Sequence, residues 1–596
     1  MCTLFSNFFW GIILKKYLRA NLPFHLIFLF TALILFLPFL LNGELVLWRD
    51  SQFHLARFHE LIMDQQYGQF FPDIVRHSGK NTWGYGLNFF YPSYFFYPLL
   101  FLWRLTDLPI TSIIIFNILV LYFTLWSNFS IMYKITSKLK LSFTFSITYI
   151  LTAGVGNAIV DNVAISRIEY MTQYASNIVL LIAPVILLSL YNIIFLHQNN
   201  TWLRAAIYSS IAIMLSIPTT LGIVLTVVFM VIVSFFKRQM TWDKIKFLLI
   251  TLAVILALSS AFVFPFLQQR GANSWSNLPN NPDLFGANFN TVFGRLFNIE
   301  DALSLLVIIF AVLLFVYKKF NETYTLLTIS YLAAMLFLYS NLFPWYLVNP
   351  ALSGALQMTY RWNFLPAIVG SVFVALAVND LGKIKKWFFP IVCLGLLYLA
   401  FNSMMLNTVA KKFHVDGFNN TINRLILPTK DSIKTDGLFT VNNSNIQVIL
   451  NNPNLALDDY RAPGQMKYHK KNYIESLVKF DQKTYPNKTT VKGNSFLINT
   501  IPRNVKKVQT PITYLKGFVA FNESGEKLSL YKDTEGFISV TPHGAKMIRL
   551  EYHKTWVHQV SILIFMLSWA ILGGYWIFNI WKGNIYENTL DNRTSL

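Results

Sequence analysis

The chain is 596 residues long, 54% hydrophobic and 16% aromatic, with only 13% charged residues and a formal net charge of +21. So much apolar surface exceeds what water-soluble cores can bury, which excludes a string of soluble domains and predicts a polytopic membrane protein. Its two cysteines, Cys2 and Cys393, lie at the extreme N-terminus and inside an apolar run, so no disulfide is expected.

Along the chain, Lys15, Lys16 and Arg19 precede an apolar run at 24–41. It lacks a small-residue cleavage site and is long enough to span, so it reads as a retained signal anchor. Runs close to the roughly 20 residues that cross a bilayer predict helices over 24–42, 112–133, 142–160, 177–197, 205–217, 219–236, 245–264, 302–317, 324–339, 362–378, 387–402 and 556–581. With the N-terminus inside, the basic clusters Lys134/Lys138/Lys140, Arg204, Lys237/Arg238/Lys244/Lys246, Lys318/Lys319 and Lys383/Lys385/Lys386 all fall on the cytoplasmic side.

That agreement requires the aromatic run 89–103, broken by Pro92 and Pro98, to remain outside as a re-entrant or interfacial helix. About twelve spans follow, with both termini cytoplasmic. The two short helices that meet at Ser216 to Thr220 read either as separate spans or as one broken hairpin dipping partway into the membrane.

The outward segments are then 43–110, 161–176, 268–301 and 342–361, together with a polar domain over 403–555, and the chemistry is expected where they converge. The polar domain carries strand-like runs at 518–521, 528–531, 536–541 and 547–552, separated by turn signals at Asn522 to Gly525 and Pro542 to Gly544. A small β-sandwich is predicted. The domain holds about ten more Lys and Arg than Asp and Glu, an excess suited either to an anionic polymer or to nearby anionic lipid.

In the first outer segment, Asp50, His54 and Arg57 follow one another at spacings of four and three, one face of a helix over 50–66. Phe53, Leu55, Phe58, Leu61 and Ile62 occupy other faces, as in a helix lying at the membrane surface. A carboxylate beside an imidazole could take a proton from a substrate hydroxyl. Alternatively, Asp50 caps the helix and His54 and Arg57 form a solvated polar face. In the third loop, Arg167 and Glu169 offer a cation and a carboxylate that could equally be a loop ion pair. Before the tenth predicted span, Gln357 to Arg361 sets a guanidinium at the outer mouth of an apolar helix, suited to a phosphate or simply snorkelling to headgroups.

Asp50, Phe53 and His54, then Tyr85-Gly86 and Phe90-Tyr91-Pro92, resemble the first-loop pattern of the bacterial membrane proteins called 6-pyruvoyl-tetrahydropterin-synthase-related. These are a branch of the C-type glycosyltransferase superfamily. Gln357 to Arg361 is similar to that family's Gln-Phe-Pro-Trp-Arg element, and Ile512 to Phe518 is similar to its Tyr-Pro-Gly-Trp strand. The chain departs from the pattern in lacking a paired Asp-x-Asp or Glu-Asp at Asp50, which leaves divalent-metal use open, and in lacking a histidine near Ser216 and Pro218, so no role is carried onto that hairpin.

The resemblance implies a C-type glycosyltransferase-like membrane domain over 1–402, an extracytoplasmic β-rich domain over 403–555, a final helix over 556–581 and a cytoplasmic tail over 582–596. It implies an inverting transfer of sugar from a polyprenyl-phosphate carrier to an acceptor outside a bacterial cell membrane, such as a teichoic acid or another anionic cell-wall polymer. Asp50 would be the base. Arg361, with Arg167 or Arg57, would stabilise the leaving phosphate, and His54, Glu169, Tyr85, Tyr91 and Gln357 would line the substrate site. No nucleotide cofactor or nucleic-acid partner is expected, in keeping with the lack of a Gly-rich phosphate loop. A lipid-saccharide flippase or a non-catalytic envelope assembly factor remains the alternative, although the spans carry few of the ionisable groups that ion-coupled transport uses at mid-membrane depth.

Overall fold

The computed structural model describes residues 22–37, 39–47, 50–74, 86–154, 157–160, 163–166, 175–196, 198–273, 302–339, 359–384, 389–390, 392, 395, 439–444, 446, 478–485, 489–492 and 495–594. The chain is mostly helical, with a β-rich region before its last helix. The helices in order are α1 (Leu22–Leu37), α2 (Asp50–Gln66), α3 (Tyr97–Thr106), α4 (Pro109–Thr136), α5 (Leu139–Thr148), α6 (Ser176–Ile194) and α7 (Trp202–Leu215). They continue with α8 (Ile217–Phe236), α9 (Trp242–Leu258), α10 (Ser260–Ala272), α11 (Ala302–Val316), α12 (Glu322–Tyr339), α13 (Phe364–Ile384) and α14 (Trp556–Thr594).

Among the described residues, five helices are long and apolar enough to cross a membrane, or six if the bent pair α9 and α10 counts as one span. Four shorter apolar helices pack with them, and the predicted span at 387–402 lies almost entirely outside the described residues. These helices form an apolar bundle whose interior holds Phe28, Phe36, Leu121, Leu181 and Phe373.

The predicted break at Ser216 is present. Ser216 is extended (φ −154, ψ 105) between α7 and α8, and its hydroxyl meets that of Thr219 at 3.1 Å. At 14 residues α7 is about 21 Å long, short of the roughly 30 Å hydrocarbon thickness. A second break interrupts the predicted helix 245–264, where α9 and α10 bend by 78° at Ser259. The Ser259 hydroxyl donates back to Ile255 O at 2.6 Å, and α14 covers the elbow, with Trp569 Nε1 donating to Leu258 O at 3.1 Å and Ser260 Oγ to Ser561 O at 2.8 Å. An apolar run alone does not reveal a bend whose exposed carbonyl is satisfied by another helix.

The predicted span 142–160 is corrected as well. Its helix ends in a π-helical turn, Tyr149–Gly154, and the chain then forms the hairpin β2 (Asn157–Val160) with β3 (Val163–Ser166). The β-branched residues Ile159, Val160, Val163 and Ile165 favour this pairing over a continuing helix.

Both ends of the first outer segment rest on one short stretch. Strand β1 (Glu44–Leu47) pairs antiparallel with β4 (Phe439–Asn442), in register Glu44 to Asn442. Next to it, Asn443 Oδ1 accepts from Ile110 N at 2.8 Å and Asn443 Nδ2 donates to Thr111 Oγ1 at 3.3 Å. The two ends of the segment therefore lie together, and the aromatic run lies between as two 3-10 turns and the ten-residue α3. A helix of that length, about 15 Å, does not cross.

The C-terminal region carries two five-stranded sheets. One has the order Lys527–Leu528, Phe518–Phe521, Ile548–Tyr552, Ser495–Ile498, Thr489–Lys492, and the other Leu530–Lys532, Phe537–Val540, Val508–Thr513, Val478–Phe480, Lys483–Tyr485. Alternate residues such as Phe496, Ile498, Val508, Ile512, Ile538 and Leu550 are fully buried in the core, the pattern of a sandwich with one face of each sheet inward. The predicted strand 528–531 is two strands, one in each sheet, split at Ser529. The turn at Asn522 follows its composition: Asn522 Oδ1 accepts from the amides of Ser524 and Glu526, and Gly525 takes φ +84.

Candidate functional site

Helix α2 starts three residues after β1, so the β1–β4 ladder fixes where Asp50 opens it. The helix then buries ionisable and apolar side chains alike: His54 and Arg57 are 3% exposed, Glu60 1% and Asp64 0%, beside buried Leu55, Phe58 and Leu61. This overturns the alternative of a solvated polar face at His54 and Arg57. Groups of this kind are costly to bury unless paired or used.

Arg57 sits at the centre. One terminal nitrogen donates to His54 Nδ1 at 2.8 Å, and the other donates to Tyr91 O at 3.1 Å and Pro92 O at 2.9 Å. The guanidinium lies over the rings of Phe96 (4.8 Å) and Tyr91 (5.4 Å). These contacts pin α2 to the aromatic segment, supported by Phe58 packing on Trp103 at 5.2 Å and by Arg104 donating to Gln65 Oε1 at 2.6 Å. The carbonyls of Tyr91 and Pro92 are open to Arg57 because Pro92 interrupts helical bonding there.

Burial, followed by the charge of Arg57, holds the His54 imidazole well below its ordinary value of 6.5, so it is neutral at neutral pH. Burial lowers Arg57 to about 9, which leaves it charged at neutral pH.

A second buried group joins the segment 43–110 to the start of α14. Asp73 forms an ion pair with Lys554, whose ammonium also donates to Phe71 O at 2.6 Å. The His558 ring approaches the same carboxylate at 3.5 Å and packs on Phe89. Burial, with Asp73 and Tyr97 adding to it, pushes the nearby Tyr94 phenol up. The C-terminal end of α10 docks alongside: Gln269 donates from Nε2 to Lys516 O and accepts from Lys516 N at Oε1, and Asn273 Nδ2 donates to Tyr514 O and Gly536 O. Gly517 takes φ +129 at this joint, where a Cβ would lie 2.5 Å from His553 O.

Of the predicted site residues, the structure brings His54, Arg57 and Tyr91 together. Tyr91 contributes its ring face and its carbonyl. Asp50 opens the same helix one turn before His54, and its side chain lies outside the described residues, as do Tyr85, Arg167, Glu169 and Gln357. Arg361 lies in a 3-10 turn, Thr359–Trp362, packed against α6, α8 and α12. Its neighbour Trp362 fills the space beside Gly222.

His59, Glu60, Asp64, Asp73, Lys554 and His558 were not singled out from sequence. Glu60 and Asp64 share the i, i+4 spacing that placed Asp50 and His54 on one face, and this was the available signal. The contact of Asp73 with Lys554 and His558 spans almost 500 residues of chain and leaves no local pattern. Among the described residues, no three His, Cys, Asp or Glu side chains gather in a metal-binding group. No family model matches the chain, and no curated protein matches it.

Proposed function

We propose that the chain is a membrane glycosyltransferase that moves a sugar from a polyprenyl-phosphate carrier to an acceptor on the outer face of a bacterial cell membrane. In this reading about twelve helices span, both termini are cytoplasmic, and the β-sandwich with α2 and α3 forms the outer layer. The observation that carries it is the burial of the ionisable face of α2, in a segment whose Asp73 pairs with Lys554 where the sandwich joins α14. Perturbed, buried ionisable groups at a convergence of loops are the common mark of an active site.

Asp50 takes the proton from the acceptor hydroxyl. The freed oxygen attacks the anomeric carbon, and the bond from that carbon to the lipid phosphate breaks with inversion. Arg361 receives the charge that builds on the departing phosphate, a task for a fixed cation in a partly dry site. The basic excess of the outer domain suits an anionic polymer acceptor such as a teichoic acid.

The test is transfer from a labelled polyprenyl-phosphate sugar by the full chain reconstituted in liposomes. Asp50→Asn should lose at least about 100-fold in transfer rate, the low end of what a general base contributes, while keeping its melting temperature. Full activity in a folded Asp50→Asn variant would overturn the assignment.

A further inference from the structure

Arginine only donates hydrogen bonds. Arg57 Nη1 lies 2.8 Å from His54 Nδ1, so Nδ1 must accept, and a neutral His54 carries its one proton on Nε2. The guanidinium cannot turn away to release Nδ1, because its other terminal nitrogen is held by the carbonyls of Tyr91 and Pro92 and its face by Phe96 and Tyr91. Both residues are 3% exposed, so water does not compete for these bonds.

We infer that Arg57 is a positioning residue that fixes His54 as its neutral Nε2–H tautomer, so that His54 serves the outer-layer site as a hydrogen-bond donor and never as a proton acceptor. This reassigns both residues. Arg57 acts through His54 and the aromatic segment rather than on a phosphate, and proton abstraction is left to a carboxylate. Protonation at Nδ1 would place two donors face to face beside a buried cation, which keeps the imidazole uncharged across the range where an ordinary histidine titrates. The role of His54 in sugar transfer rests on the function proposed above, whereas the tautomer does not.

The experiment is nitrogen NMR of the full chain in nanodiscs, with histidine ring nitrogens labelled and His54 assigned by its loss in His54→Gln. His54 should show a protonated Nε2 and an unprotonated Nδ1 with no change between about pH 5 and 8. Arg57→Lys, which keeps a donor, should preserve that signature, and Arg57→Leu, which removes the donor that holds Nδ1, should let a protonated Nδ1 appear. A proton on Nδ1, or titration of His54 in the unaltered chain, overturns the inference whatever the transfer assay shows. A chain with the expected signature and no transferase activity refutes the function and leaves the tautomer standing.

Discussion

Two buried charges, Arg57 and Asp73, tie the segment 43–110 to its neighbours, and each makes a stability prediction. His54 is held below 6.5 in the folded chain by burial and by Arg57, so between 6.5 and that lowered value the unfolded chain binds more protons. Its contribution is complete above pH 6.5 and is lost progressively as pH falls below it. The melting temperature should therefore decline on acidification through this window, and His54→Gln should decline less steeply. At the second charge, Lys554→Met leaves the nearly inaccessible carboxylate of Asp73 without its ammonium. A loss of about 2 kcal/mol is expected, less than for a fully buried pair because Lys554 is partly exposed. The double variant with Asp73→Asn should recover part of it, and denaturant melts of the three variants check this. The pairing of His54 with Arg57 on one face was legible from their spacing of three. Whether that face met water was not, because the burying surface comes from Tyr91, Pro92 and Phe96, some 35 residues away.

Helix breaks divide into those the residues announce and those they do not. Ser216 and Pro218 together deny continuous helical bonding and announce the first. At Ser259 the pair Ser259-Ser260 is a weaker signal within an otherwise apolar run, and α14 supplies Trp569 to the carbonyl of Leu258. Trp569→Phe should cost about 1 kcal/mol, the net worth of such a bond, with some loss of packing added. Gly222 of α8 sits against the Trp362 indole, where any Cβ would overlap it. Gly222→Ala should therefore destabilise by about 1–3 kcal/mol by overpacking, and Gly222→Ala with Trp362→Phe should be the milder pair. The ladder between β1 and β4 was likewise invisible, since four-residue strands nearly 400 residues apart carry no joint pattern.

For the whole molecule, the apolar runs made the helical class legible, and the turn-rich C-terminal segment made the β-rich region legible. The meeting of Asp73 with Lys554 and His558 was not legible, because it joins stretches nearly 500 residues apart. Both ends of segment 43–110 lie against 439–443, so a cysteine at Tyr67 and one at Tyr531 should react with a membrane-impermeant maleimide from the same side, and one at Lys318 from the other, once Cys2 and Cys393 are serine. Labelling of positions 67 and 531 from opposite sides would break the outer layer apart.

The most direct measurement of the central claim is a structure of the full chain with a polyprenyl-phosphate sugar bound. The account predicts the lipid phosphate within hydrogen-bond reach of Arg361 and the Asp50 carboxylate on the opposite face of the sugar, both serving one ligand. Phosphate density in a cavity remote from Arg361, or Asp50 and Arg361 separated by more than about 15 Å, far beyond the reach that shared chemistry requires, would contradict it.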